Sequence, residues 1–164
     1  MYKETIVDDL MEKLQSIIQI SQSGDSKKAR ILFDEIIPSL GNDPLHNCIF
    51  AHYMADVQEE FEKELYWDLK SLECLDNLTD ERLKQFNSNL NQKGFYASIY
   101  LNIAEDYKKN DMIKNSNKYI KLAEESIGEL KEDGYGNMIK HGIERIKEKI
   151  RNRTIASTGQ RPLS

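Results

Sequence analysis

The sequence predicts an all-α fold of stacked antiparallel helical hairpins, and three observations lead there. Apolar residues recur at three- and four-residue spacing along most of the chain, as in Leu10, Leu14, Ile17 and Ile18, and this spacing gathers side chains on one face of a helix. Helix punctuation interrupts the pattern repeatedly, at Gly24, at Asp43 followed by Pro44, at Thr79 and at Gly94. Three prolines and eight glycines in 164 residues leave little of the turn chemistry that an all-β chain uses. A mean hydropathy of −0.66 is low for a compact globule and suits a shape with much exposed surface.

The elements follow in order. A first helix is predicted over 3–22, with Ile6, Leu10, Leu14, Ile17 and Ile18 on its apolar face. Gly24 ends it, and Asp25 or Ser26 caps a second helix that carries Ala29, Leu32, Phe33, Ile36 and Ile37 before Pro38. Asp43 with Pro44 opens a third helix, since the carboxylate accepts from free amides and proline suits the first helical position. It continues to about 58. After an acidic turn over 59–62, a fourth helix holds Leu65, Trp67, Leu69, Leu72 and Leu75. Thr79, Asp80 and Glu81 start a fifth, extra helix over 80–92. Glycine inside a helix costs about 1 kcal/mol relative to alanine, so a break is predicted at Lys93 and Gly94. The pattern then runs to 109, turns at Asn110 and Asp111, and returns over 112–131. The DGYG segment, 133–136, predicts another turn. A last helix over 137–152 sets Ile139, Ile143, Ile146 and Ile150 against lysines and glutamates, and 153–164 reads as a frayed tail.

Hairpins in series suggest a fixed period. Gly24 marks the turn of a 34-residue unit, with Ala29 at a small position and Phe33 at a large one. One period on, Ala51 and Met54 fall at equivalent small and large positions. The third unit is the clearest, with Tyr100, Ile103 and Tyr107 large, Ala104, Ser116 and Ala123 small, and Ile120 large. Its register lies 53 residues after the second, and the excess of 53 − 34 = 19 is the length of one extra helix with its turn. Units at 10–43, 44–77 and 97–130, the extra helix and a capping helix at 137–152 therefore compose one domain over 1–152. No hairpin of this kind buries its apolar face alone, and stacking does so.

With these residues the chain resembles the tetratricopeptide repeat superfamily, a superhelix of stacked helical hairpins. The stretches DPLHNCIFAHYMADVQ, ELYWDLKSLECLDNLTDER and GFYASIYLNIAEDY look like bacterial proteins of that class. The resemblance implies a protein or peptide interaction module, an adaptor with no reaction of its own. It also implies a concave groove lined by the first arm of each hairpin. Matching positions are Cys48, His52 and Asp56 in the second unit and Ser98, Leu101, Asn102, Glu105 and Lys109 in the third. The first unit adds Leu14, Gln15, Ile18 and Gln22. An asparagine amide donates to and accepts from an extended backbone, so Asn102 suits a bound peptide. His52, Asp56 and Glu105 stand where carboxylate capture needs cations, which favours a basic or neutral peptide.

Two alternatives are carried by particular residues. A peptide-sensing regulator would move the helix over 80–92 about Gly94. A thiol enzyme would use Cys48, His52 and Asp56, which at i, i+4 and i+8 share one helix face as nucleophile, base and orienter. Consecutive side chains on one helix converge poorly on a reacting atom, and the sequence supplies no oxyanion donor. The same three residues with His46 lack the paired spacing of a zinc site, so no metal and no cofactor are expected.

Trp67, the single tryptophan, reads as packing between units, and the acids over 59–64 as an ordinary helix start. DGYG follows no strand and precedes no Lys-Ser or Lys-Thr pair, which excludes a phosphate loop. Lys and Arg number 23 against 28 Asp and Glu, a net charge of −5, and duplex affinity comes largely from cations that neutralise phosphates. Lys108, Lys109, Lys114, Lys118 and Lys121, with Arg151, Arg153 and Arg161, lack interleaved exposed aromatics, so no nucleic-acid partner is expected. No apolar run reaches the roughly 18 residues of a membrane span. The acidic start MYKETIVDDLMEK is unlike a signal peptide, and two cysteines make no disulfide framework, so a cytoplasmic protein is expected. Ile6, Leu10 and Leu14 on a terminal hairpin leave pairing with a second copy open.

Overall fold

The computed structural model describes residues 8–127 and 134–157. They form eight α-helices and one 3-10 turn, with no strand among the described residues. The fold is therefore all-α. The chain divides into two compact units with the boundary between Leu78 and Thr79.

The N-terminal unit contains α1 (Asp9–Gln22), α2 (Ser26–Ile36), the 3-10 turn Ile37–Ser39, α3 (Pro44–Asp56) and α4 (Phe61–Leu75). Local chemistry sets the helix starts. Asp8, Asp25 and Asp43 accept from the amides of Met11, Lys28 and Leu45 at 3.0, 3.1 and 2.9 Å. Each bond satisfies an amide that has no partner within its helix. Gly24 turns α1 into α2 with φ of +103°, a left-handed conformation that glycine reaches without strain. Among the described residues α1 begins at Asp9, and 3–7 of the predicted first helix, Ile6 included, lie outside the described residues.

Phe33 and Phe50 are fully buried and meet edge to face at 5.6 Å, and Trp67 adds a second such contact with Phe50 at 5.4 Å. Trp67 is thus part of the packing that joins α3 to α4. At the same crossing the Ser71 hydroxyl donates to the Cys48 carbonyl at 3.2 Å. The buried stripe of α4 is Asp68, Ser71 and Leu75; of the other apolar residues named for this helix, Leu65, Trp67 and Leu72 are half-buried and Leu69 is exposed. Two small side chains, Cys48 and Ser71, let α3 and α4 approach closely, and this sets the rotation of α4.

The C-terminal unit contains α5 (Asp80–Lys84), α6 (Gln92–Lys109), α7 (Ile113–Ile127) and α8 (Gly134–Ser157). The extra helix expected over 80–92 is only the five residues of α5, and the chain then runs without helix to Asn91. The expected break at Gly94 is not there either. Gly94 lies in the first turn of α6, its amide donating to the Asn91 side chain at 2.7 Å, while the Gln92 amide donates to Asp80 at 2.7 Å. These two acceptors make a helix start of what glycine content alone suggests is a kink.

Asp111, with φ of 62°, turns α6 into α7. The two helices cross at small residues: Ala104, Ser116 and Ala123 are all buried, and the Ser116 hydroxyl donates to the Ala104 carbonyl at 2.7 Å. Ile120, Ile139, Ile143, Ile146 and Ile150 complete this core. Lys147 on α8 pairs with Glu124 on α7 at the rim. The turn expected over 133–136 is corrected from Gly134 onward, because Gly134 begins α8, and Asp133 lies outside the described residues. The last helix also outruns the expected 137–152, so 153–157 is helical, and the rest of the predicted tail, 158–164, lies outside the described residues.

Candidate functional site

Within the C-terminal unit, α6 and α8 enclose a groove of about 260 Å³. Ser98, Leu101, Asn102 and Glu105 line it from α6. Their spacing of i, i+3, i+4 and i+7 places all four on one helix face. From α8 come Met138, Ile139, Gly142, Arg145, Ile146 and Lys149.

Gly142 determines how near the two walls stand. A Cβ there would lie 2.6 Å from a terminal methyl of Leu101, so the bare backbone of α8 takes the space a side chain would fill. The Arg145 guanidinium extends back to within 3.8 Å of that same position. Ile139 and Ile146 are buried against the core, whereas Met138 is 57% exposed and Arg145 and Lys149 are exposed. The groove thus has an apolar floor, one amide, one hydroxyl, one carboxylate and two cations. Arg145 and Lys149 are separated by one helical turn, and among the described residues neither forms an ion pair.

Four of the twelve residues expected to line a groove therefore lie together: Ser98, Leu101, Asn102 and Glu105. Lys109 is exposed at the end of α6 and does not line this groove. The α8 wall is what sequence reasoning missed. Its signals were present as an i, i+4 pair of cations and a glycine inside a helix, but α8 reads from sequence as a cap that only covers the core. The wall adds two cations, Arg145 and Lys149, to the one carboxylate that α6 contributes.

The residues expected from the second unit are placed differently. Cys48 is fully buried, its thiol 3.5 Å from the Ser71 carbonyl, so it belongs to the α3–α4 packing and does not line a groove. Burial pushes the thiol up to about 12 against the opposing hydrogen bond from Ser71. A thiol so far from ionisation is a poor nucleophile near neutrality. His52 is also buried, and desolvation holds its ring down at about 4. Asp56, the orienter in the thiol-enzyme reading, is exposed at the end of α3. His46 is engaged elsewhere, 2.8 Å from Asp8. In the first hairpin Leu14 and Ile18 are buried in the core, and Gln15 and Gln22 are exposed.

Compared with protein-family models, curated proteins and solved structures, the chain finds no match. No described helix is long and apolar enough to cross a membrane.

Proposed function

We propose that this protein is an interaction module that binds an acidic segment of a partner protein in the groove between α6 and α8, within a fold of the tetratricopeptide type. The observation that carries the reading is the pair Arg145 and Lys149, without an ion pair among the described residues, facing Asn102 and Glu105 over an apolar floor. A carboxylate between the two cations gains charge-assisted hydrogen bonds. Asn102 is then placed to hold the peptide backbone, and Leu101 and Met138 to contact an aliphatic side chain of the ligand. The small-residue crossing of Ala104, Ser116 and Ala123 supports the hairpin type, because it lets two arms pack closely and present one face for binding. A cytoplasmic adaptor without catalysis is the role this fits.

Selection from a displayed random peptide library tests it. The full chain should enrich peptides that carry Asp or Glu beside an aliphatic residue, and the Arg145→Glu, Lys149→Glu variant should lose them. Identical enrichment by both proteins contradicts the reading. Circular dichroism of the variant establishes that the exposed substitutions leave the helices intact.

A further inference from the structure

We propose that the cleft between α1 and α2 is a second docking site, which takes a basic amphipathic helix of another protein. It lies in the N-terminal unit and is independent of the α6–α8 groove. The two helices turn one apolar side, Leu14, Ile18, Ala29 and Phe33, into the core. Between them on another side lies an open cleft of about 700 Å³, its floor formed by Ile17, Ile20, Leu32 and Ile36. Only Ile17 of these four is buried, and the other three are half-exposed. Ile31, one helical turn before Glu35 on α2, is 50% exposed and extends the apolar surface along the rim.

Charge identifies the occupant. Asp9 and Glu12 on α1 and Glu35 on α2 edge the cleft, and Lys13 is the one cation that lines it, a balance of −3 + 1 = −2. An apolar trough with acidic edges matches a helix whose apolar residues recur at i, i+3, i+4 and i+7 and whose flanks carry Lys or Arg. The α1 wall runs from Asp9 to Ile20, about 17 Å at 1.5 Å per residue, which accommodates about three turns of such a helix.

Two labelled model peptides of fourteen residues, with the same leucine pattern and either lysine or glutamate elsewhere, are titrated against the full chain by fluorescence anisotropy. Each exposed charge pair contributes a fraction of a kcal/mol, so three rim acids predict about tenfold preference for the lysine peptide at low salt. Reversing the rim with Glu12→Lys and Glu35→Lys should abolish that preference. The control variant Glu144→Lys, Glu148→Lys changes net charge equally on exposed positions of α8 and should preserve it. Equal affinity for both peptides overturns the proposal, as does a preference that survives rim reversal or that disappears equally in the control. Sedimentation of the chain alone supplies a further arm. A dimer that rim reversal dissociates makes a second copy the occupant and also overturns the proposal, whereas a monomer at the concentrations used supports it.

Discussion

His52 is a neutral imidazole held in the buried face of α3, and this has a consequence for stability. Its ring titrates at about 4 in the fold and at about 6.5 in the unfolded chain. A depressed histidine pKa means that the unfolded state binds the proton first, so the folded state loses stability as pH falls from about 6.5 towards 4 and not above that window. The full difference is on the order of 3 kcal/mol. Denaturant titrations at pH 7 and pH 4.5 should show a larger acid loss in the native chain than in His52→Gln, and equal losses would contradict the buried assignment. Cys48 gives a second prediction at this scale. With its thiol raised to about 12 and fully buried, it should resist alkylation at pH 7.5 until the chain is unfolded. Fast labelling of Cys48 in the folded chain, read by mass spectrometry of its peptide, would show that burial wrong. The spacing of Cys48, His52 and Asp56 was legible in the sequence, but the face they occupy was not. The buried residues of α3 include Leu45, Cys48, Ile49, Phe50, Ala51, His52, Met54 and Ala55, which lie all round the helix. A helix apolar on every side gives no moment from which to read a groove.

Among the elements, helix starts were the most legible feature, because an N-cap is decided by residues next to one another. Asp43 with Pro44, and Thr79 before α5, stand at the positions where their chemistry puts them. Glycine was harder to interpret. The same residue type is a turn at Gly24, a first-turn position at Gly94 and a close helix contact at Gly142, and what differs is the partner each backbone meets. Asn91 and Asp80 fix the start of α6, and the second of these lies twelve residues away in the chain. Gly142 allows a direct test of the groove. Alanine there gains about 1 kcal/mol of helix propensity but presses on the Leu101 methyl, so the gain and the clash oppose each other. The expected outcome for Gly142→Ala is a melting temperature within a few degrees of the native value and weakened binding of groove-selected peptides. Unchanged affinity would mean that Leu101 and Gly142 do not shape the bound site.

At the scale of the whole molecule, the all-α class followed from periodicity, whereas the division at Leu78 and Thr79 did not. Apolar spacing continues across that boundary, and a period counted along the chain does not mark where one unit ends and the next begins. The α8 side of the groove was hidden for a related reason. Arg145 and Lys149 are distant in sequence from Asn102 and Glu105, and only the packing of α8 against α6 brings them to one cavity. The net charge of −5 does not describe the candidate sites, which are charged oppositely: the α6–α8 groove carries two cations and one acid, and the α1–α2 cleft three acids and one cation. The central claim is that Arg145 and Lys149 read an acid on a peptide. Its most direct measurement is a charge-swap cycle, in which a library-selected peptide and its Asp/Glu→Lys counterpart are titrated against the native chain and against Arg145→Glu, Lys149→Glu. The account predicts that each single reversal weakens binding about tenfold or more and that combining the two recovers much of the loss. Additive losses with no recovery would contradict it.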